Sequence, residues 1–392
     1  MTPTGQAAVS QAPAVPSPPV SISVVRGPAQ RKAFIRLPYR LYDGDACWMP
    51  PLEKELRALL DPRRNPFFDT GSVELFLARR QGKPVGRVAA VHNPRHNTHH
   101  GTTDGFFGLF ECDNDPLAAD ALFHAAGQWL RGRGLISMTG PVAFTIHDEC
   151  GTLVDGFGSP PAILMPYNPP YHDQLLHSCG FTKAKDLWAW EWSTETDMGP
   201  AIERIARRAQ QRHDVQVRPL NMADFEAETG RIWDIYTASW EQNWGFTPPS
   251  EREFRYLAAQ LRQIIRPELA LIAEVRGDPA AFALTVPDAN QALKAARGRL
   301  TSFGLPLGLL RAARAARHID RARTFALGVK AAYRGQGLDA LLYTCTNRAG
   351  RELGYSTGEL SWVLEDNTAM NAALARMGAQ HSKTYRLYQR PL

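Results

Sequence analysis

The chain has 392 residues, of which 44% are hydrophobic and 21% charged, proportions that fit two or three globular domains and exclude a wholly disordered chain, a collagen-like fibre and a disulfide mini-protein. Its five cysteines are odd in number, far apart and form no C-x-x-C pair, so neither a zinc cage nor a disulfide framework is expected, and a reducing cytoplasm suits them. The net charge of +6 is local: residues 294–323 carry +7 and the remainder sums to −1, which points to one anionic contact and not to a generally basic surface.

Residues 1–22 carry no charge and are rich in Pro, Ala, Ser and Val. They lack the basic start and apolar centre of a secretory signal and read as a disordered tail. No apolar run approaches the roughly 18 residues that a membrane span needs. Helical spacing of Phe34, Leu37 and Leu41 predicts a helix over 28–41, and "LEKELRALL" a second after the Pro-rich break at 47–52. "VELFLARRQGKPVGRVAAVHN" alternates on both sides of a turn and reads as a hairpin. The histidine-rich "HNPRHNTHH" reads as a polar loop, with no metal site expected. "TDGFFGLFEC" is a strand, Pro116 opens a helix that ends near Gly132, and "ISMTGPV", "PPYHDQLLHSCGF" and "DLWAWEW" read as strand, short helix and strand.

The second half repeats this order. "IERIARRAQQR" and "FEAETGRIWDIYTASW" are helices, "ELALIAEVRGDPAAFALTV" is a hairpin and "RTFALGV" a strand. "GLDALLYTCTNRAGRELG" is a helix with an apolar stripe, followed by strand "TGELSWVL", helix "NTAMNAALARMG" and strand "KTYRLYQR". An α/β fold is therefore expected, a mixed sheet with flanking helices in two related units, 23–195 and 196–392, after a tail over 1–22.

The most informative stretch is "LGVKAAYRGQGLDALL". A strand ends near Val329, a loop carries Arg334, Gly335, Gln336 and Gly337, and a helix starts at Leu338. Backbone N–H groups at a helix start are unpaired and partly positive, and glycine lets them approach a phosphate closely. This pattern suits a pyrophosphate.

These residues resemble the GNAT N-acyltransferase superfamily. Its R/Q-x-x-G-x-G/A string corresponds to Arg334, Gly335, Gln336, Gly337, Leu338 and Asp339, and "TFALGV" and "GELSWVLEDN" are similar to its fourth and fifth strands. The whole chain further resembles a group of long, two-unit bacterial GNAT-like proteins that includes a bacterial ceramide synthase, through "FIRLPYRLYDGD", "NPFFDTGSVELFLARR", "HDECGTLVDGF", "NWGF", "ALGV" and "ELSWVLEDN". The resemblance implies acyl-CoA as cosubstrate and no metal, with Leu327, Val329, the 334–339 loop and Asn367 at the cofactor. It implies a proton acceptor near the gap between those strands, where Ser361, Glu365 and Asp366 stand. An acceptor pocket would be lined by Trp240, Asn243, Trp244 and Phe246, with His147 contributed from the first unit, which has no glycine cradle of its own. Two departures stand out. Asp339 replaces the family's Gly or Ala, and Leu374 occupies the place where many members carry a tyrosine acid.

Residues 300–323 join an apolar run to Arg311, Arg314, Arg317 and Arg321 at helical spacing. That is the pattern of a helix lying on an anionic membrane. The sequence thus predicts an acyl-CoA-dependent N-acyltransferase, cytoplasmic and peripheral to the inner membrane, with a long-chain, sphingoid-type amine as acceptor. The alternatives are a Fem-type transferase using charged tRNA, disfavoured with nucleic acid generally, and a non-catalytic acyl-CoA-binding protein.

Overall fold

The computed structural model describes residues 18–212, 214–301 and 305–392. Its first half runs β1 (Val20–Val24), α1 (Pro28–Leu41), α2 (Glu53–Leu59), β2 (Ser72–Arg80), β3 (Lys83–His92), α3 (Pro94–His100), β4 (Asp104–Cys112), α4 (Pro116–Arg131), β5 (Ser137–Gly140), β6 (Thr152–Asp155), α5 (Tyr171–Ser178) and β7 (Thr182–Ser193). The second half continues with α6 (Pro200–Gln210), β8 (Val215–Pro219), α7 (Phe225–Trp240), α8 (Glu251–Leu261), β9 (Ala270–Val275), β10 (Asp278–Pro287), α9 (Asn290–Leu293) and α10 (Leu307–Ala315). It ends with β11 (Arg321–Val329), α11 (Leu338–Glu352), β12 (Thr357–Leu364), α12 (Thr368–Arg376) and β13 (Gln380–Pro391).

Local chemistry explains most helix starts. Asp115 caps α4 by accepting from the Ala118 amide, with Pro116 at the first helical position. Ser250 and Glu253 form a capping box on α8. Two sequence expectations need correction. Residues 20–22, read as tail, belong to β1, which pairs antiparallel with β2; residues 1–17 lie outside the described residues. The histidine segment is not a loop but α3, capped by Asn93, opened by Pro94 and closed by Gly101 in the left-handed region.

One sheet runs through the molecule in the order β1-β2-β3-β4-β5-β13-β7-β12-β11-β10-β9-β8, with β6 paired to β13. The division at 195/196 falls between β7 and α6, yet strands cross it in space. The last strand, β13, pairs with β5 and β7, and β7 in turn pairs with β12. The packing follows. Tyr385 and Leu387 of β13 bury in the first half's core, while Trp190 and Trp192 of β7 pack against Tyr343, Leu374 and Met377 of the second half.

Two strand pairs are parallel, β4–β5 and β11–β12, and both are short. The ladder of β11 and β12 runs only from Arg321–Thr357 to Thr324–Leu360, after which the strands part. The matching opening in the first half is filled by its own chain. The Val142 amide donates to the Phe107 carbonyl, and a side chain at Gly108 would meet the Val142 carbonyl oxygen at 1.8 Å. Among the described residues, only the second half keeps its gap open.

Candidate active site

The gap leads into a cavity of about 1030 Å³ whose wall includes Leu327, Val329, Arg334 and Asp339 from the β11–α11 corner. Gly335 and Gly337 hold φ of 74° and 79°, a region that favours glycine, and Gly337 caps α11 from there. Among the described residues no acceptor pairs with the amides of Gly335, Gln336, Gly337, Leu338 or Asp339. These amides therefore offer a row of free donors at a helix start, the chemistry that a diphosphate requires. The Arg334 guanidinium donates to the Val329 carbonyl at 3.3 Å and the Ser239 carbonyl at 3.1 Å, so the cation is fixed between β11 and α7. Gln336 accepts from Arg212 at 2.7 Å. Asp339 is exposed in the first turn of α11. Asn367 caps α12 by accepting from the Met370 amide and also lines the cavity. The residues present fit the diphosphate and pantetheine arm of an acyl-CoA.

The aromatic wall is assembled from both halves. Trp240, Asn243, Trp244 and Phe246 line the cavity together with His147. The His147 Nε2 lies 2.8 Å from the Thr247 carbonyl, which can only accept, so Nε2 carries the proton and Nδ1 accepts from the Tyr236 hydroxyl at 2.8 Å. Burial holds this imidazole below its ordinary pKa. His96 and His100 of α3 bond to Thr247 and the Phe246 carbonyl, which seats the 243–247 turn against the first half.

The two carboxylates expected to serve as base are already engaged. Glu365 accepts from Lys183 at 2.6 Å and from the Asp186 amide at 3.0 Å, and it is not part of the cavity wall. Asp366 stands at the rim and pairs with Lys185 at 2.7 Å, which holds its carboxyl below the usual range. Ser361 lines the cavity, but its hydroxyl donates to Glu359 at 2.6 Å and accepts from Arg323 at 2.9 Å. It thus bridges a buried pair, with Arg323 4% and Glu359 3% exposed. Arg323 also donates to the carbonyls of Ile163 and Ser361.

Several groups in the wall were not singled out by sequence. Arg87 donates to the Phe34 carbonyl at 2.7 Å and faces Glu111 at 3.7 Å; burial pushes the Glu111 carboxyl up to about 7 although Tyr42 donates to it. Glu55 lines the same region, together with Asp148 and Glu149, which follow His147 in the string "HDEC" that the sequence does mark. Tyr343 of α11 reaches α12, its hydroxyl 2.9 Å from the Met370 sulfur, beside the Leu374 that stands where a tyrosine acid was expected. An alternation or stripe pattern marks such groups only as buried or exposed; nothing in their own neighbourhoods links Glu55 to Glu149 or Arg323.

A gap between parallel strands, a glycine corner with free amides and a cavity beneath it define a GNAT-type acyltransferase. The chain belongs to this superfamily, in the tandem arrangement, and the activity that goes with membership is CoA-dependent acyl transfer. It is 36% identical over 378 residues, 95% of this chain and 98% of the relative, to the bacterial ceramide synthase of Caulobacter vibrioides. It is 33% identical to the YghO protein of Escherichia coli, over 92% of this chain and 93% of that one. No family model matches the chain. Among solved structures, a tandem GNAT protein from the clavulanic acid biosynthesis pathway superposes with a TM-score of 0.57 at 12% identity, covering 95% of this chain and 98% of its own. A GCN5-related N-acetyltransferase from Sphaerobacter thermophilus gives 0.53 at 13%, covering 96% and 97%.

Proposed function

We propose that the protein joins the acyl group of a long-chain acyl-CoA to the amine of a long-chain, sphingoid-type base, working at the cytoplasmic face of an anionic membrane. The observation that carries this reading is the cavity. It lies at the upper end of the roughly 300–1,000 Å³ typical of small-molecule sites, and its wall is rich in Leu, Ile, Phe, Trp and Met side chains drawn from both halves. A site for acetyl transfer to a small polar amine needs neither the volume nor that wall. The relative in Caulobacter, matched almost end to end, carries a name that fits the same substrate class.

In this reading the amides of residues 335–339 hold the diphosphate and the fixed Arg334 adds its charge beside them. The pantetheine arm enters between β11 and β12, where main-chain groups of Leu327 and Val329 are no longer paired to a parallel neighbour. The aromatic wall from Tyr236 to Phe246 shields the reacting centre from water. Incubation of the purified protein with palmitoyl-CoA or acetyl-CoA and a panel of amines tests it. N-acyl product is expected with sphinganine-type bases and palmitoyl-CoA, and not with short polar amines. Transfer to polar amines alone would remove the lipid acceptor, and absence of any transfer would remove the enzyme.

Membrane contact belongs to α10. Leu305, Leu309 and Leu310 are 57%, 50% and 61% exposed. Arg311, Arg314 and Arg317 are exposed beside them, with no ion-pair partner among the described residues. Arg321 leaves this stripe, since it pairs with the buried Asp288 at the start of β11. No helix of the described residues is long and apolar enough to cross a membrane.

A further inference from the structure

The charges around the cavity do not balance. Arg87 faces Glu111, and Arg323 is coupled to Glu359 through the Ser361 hydroxyl. Asp366 is paired with Lys185, and Arg334 and Asp339 stand together at the cofactor corner; three further carboxylates remain in the wall. Asp148 accepts from the Thr145 amide and hydroxyl. The carboxylate of Glu55, on α2, has no hydrogen bond or ion pair among the described residues. The carboxylate of Glu149, between β5 and β6, has none either. Both side chains carry exposed surface, and both line the cavity. Unpartnered anions in a largely apolar wall attract a cation that enters the cavity.

We propose that Glu149, with Glu55 and Asp148 beside it, is the subsite that receives the ammonium head of the acceptor. The first half of the chain, whose own gap is closed by residues 141–144, would thus supply recognition of the acceptor while the second half holds the acyl-CoA. A monocationic head beneath an alkyl chain matches both parts of this wall: the carboxylates attract it and the apolar side chains take the tail. Burial raises the carboxyl pKa values of all three groups, Asp148 to about 6, and at Glu149 the nearby Asp148 and Glu55 add to the rise. That is the expected state of a site completed by an external cation. A sugar or a second acyl chain would leave the excess negative charge uncompensated.

The inference rests on the reading of an amine acceptor, and a binding experiment separates the two. Dodecylamine and dodecan-1-ol share a tail and differ in the cation. Their binding to the full-length protein at pH 7 can be followed by the change in fluorescence of the cavity tryptophans, Trp48, Trp240, Trp244 and Trp362. The intact protein is expected to prefer the amine at least tenfold. Glu149→Gln should bring the two ligands to within about twofold, Glu149→Asp should keep most of the preference, and Glu55→Gln should reduce it partly. Unchanged CoA binding by calorimetry certifies that each variant is folded. An intact protein without preference, or a folded Glu149→Gln variant that keeps it, overturns the proposal. If sphingoid bases are not acylated but the preference follows Glu149, the lipid acceptor falls and this subsite stands; if they are acylated while Glu149→Gln keeps its preference, the reverse holds.

Discussion

Individual residues at the cofactor corner carry opposing demands, and glycine resolves them. A side chain on Gly337 would combine a φ of 79° with a methyl 2.8 Å from the Ile205 Cγ2 of α6, whereas at Gly335 the same φ region opens on empty space. The left-handed conformation alone costs an ordinary residue roughly 1–2 kcal/mol. Gly337→Ala is therefore expected to weaken CoA binding at least tenfold by calorimetry and to lower the Tm by several degrees, and Gly335→Ala to lower the Tm less. Asp148 shows a different conflict. Burial first, and Glu253 more weakly, raise its carboxyl to about 6 against the bonds from Thr145, with Glu149 beside it. A carboxyl raised in the fold favours folding while it stays neutral, so this contribution is present below the ordinary carboxylate range and is lost as pH rises through about 6. Asp148→Asn should then raise the Tm at pH 8 and leave it nearly unchanged at pH 4, as differential scanning calorimetry can determine. Residues of the glycine corner were legible because strand, loop and helix follow one another within twenty positions. Glu149 was not. Neighbours in "HDEC" diverge, with His147 directed to Tyr236 and Thr247, Asp148 to Thr145 and Glu149 to the cavity, and only the distant Glu55 and Arg323 give it a context.

Among the elements, α10 is the one whose exposed face asks for a surface to lie on. Its apolar side chains stand with Arg311, Arg314 and, in the turn just after it, Arg317, none of them ion-paired among the described residues, while Gly308 and Ala312 are buried. Each basic side chain near an anionic bilayer contributes about 1 kcal/mol. Replacement of Arg311, Arg314 and Arg317 by alanine should thus weaken binding to phosphatidylglycerol-containing vesicles by roughly 100-fold, with CoA affinity in solution unchanged; vesicle sedimentation against zwitterionic controls measures it. The amphipathic pattern revealed this element from sequence, but not its end. Arg321 continues the spacing and yet turns inward, because β11 begins there and Asp288 supplies a buried partner. The short strands β6 and β8 and helix α8 were missed for the complementary reason. The two strands are too brief to show a period and are defined by sheet pairing, while α8 buries no residue fully and is marked mainly by its Ser250–Glu253 cap.

At the scale of the whole molecule, two similar units have become one folding body. Sequence order divides them cleanly near residue 195, since repeats are read along the chain and strand exchange leaves no mark on local pattern. In space β13 supplies the first half with Tyr385, Leu387 and Tyr388, all fully buried, and β7 supplies the second with Trp190 and Trp192. A chain cut between β7 and α6 deprives β5 of its partner on one side and β12 of its partner on the other. Either fragment then exposes a sheet edge and an apolar face that the intact chain covers. The fragments 18–195 and 196–392 are accordingly expected to be insoluble or to lack near-ultraviolet circular dichroism when made separately. Co-expressed, they should recover a soluble complex that binds CoA. The intact chain should unfold in urea as one transition, superimposable by tryptophan fluorescence and far-ultraviolet circular dichroism. The cavity lies across this shared sheet, its cofactor corner in one half and its unpaired carboxylates in the other, so coupling of the halves is a condition for the reaction as well as for the fold. Two resolved transitions, or a separately folded half with native-like spectra, would show that the exchange of strands is dispensable and that each unit stands alone.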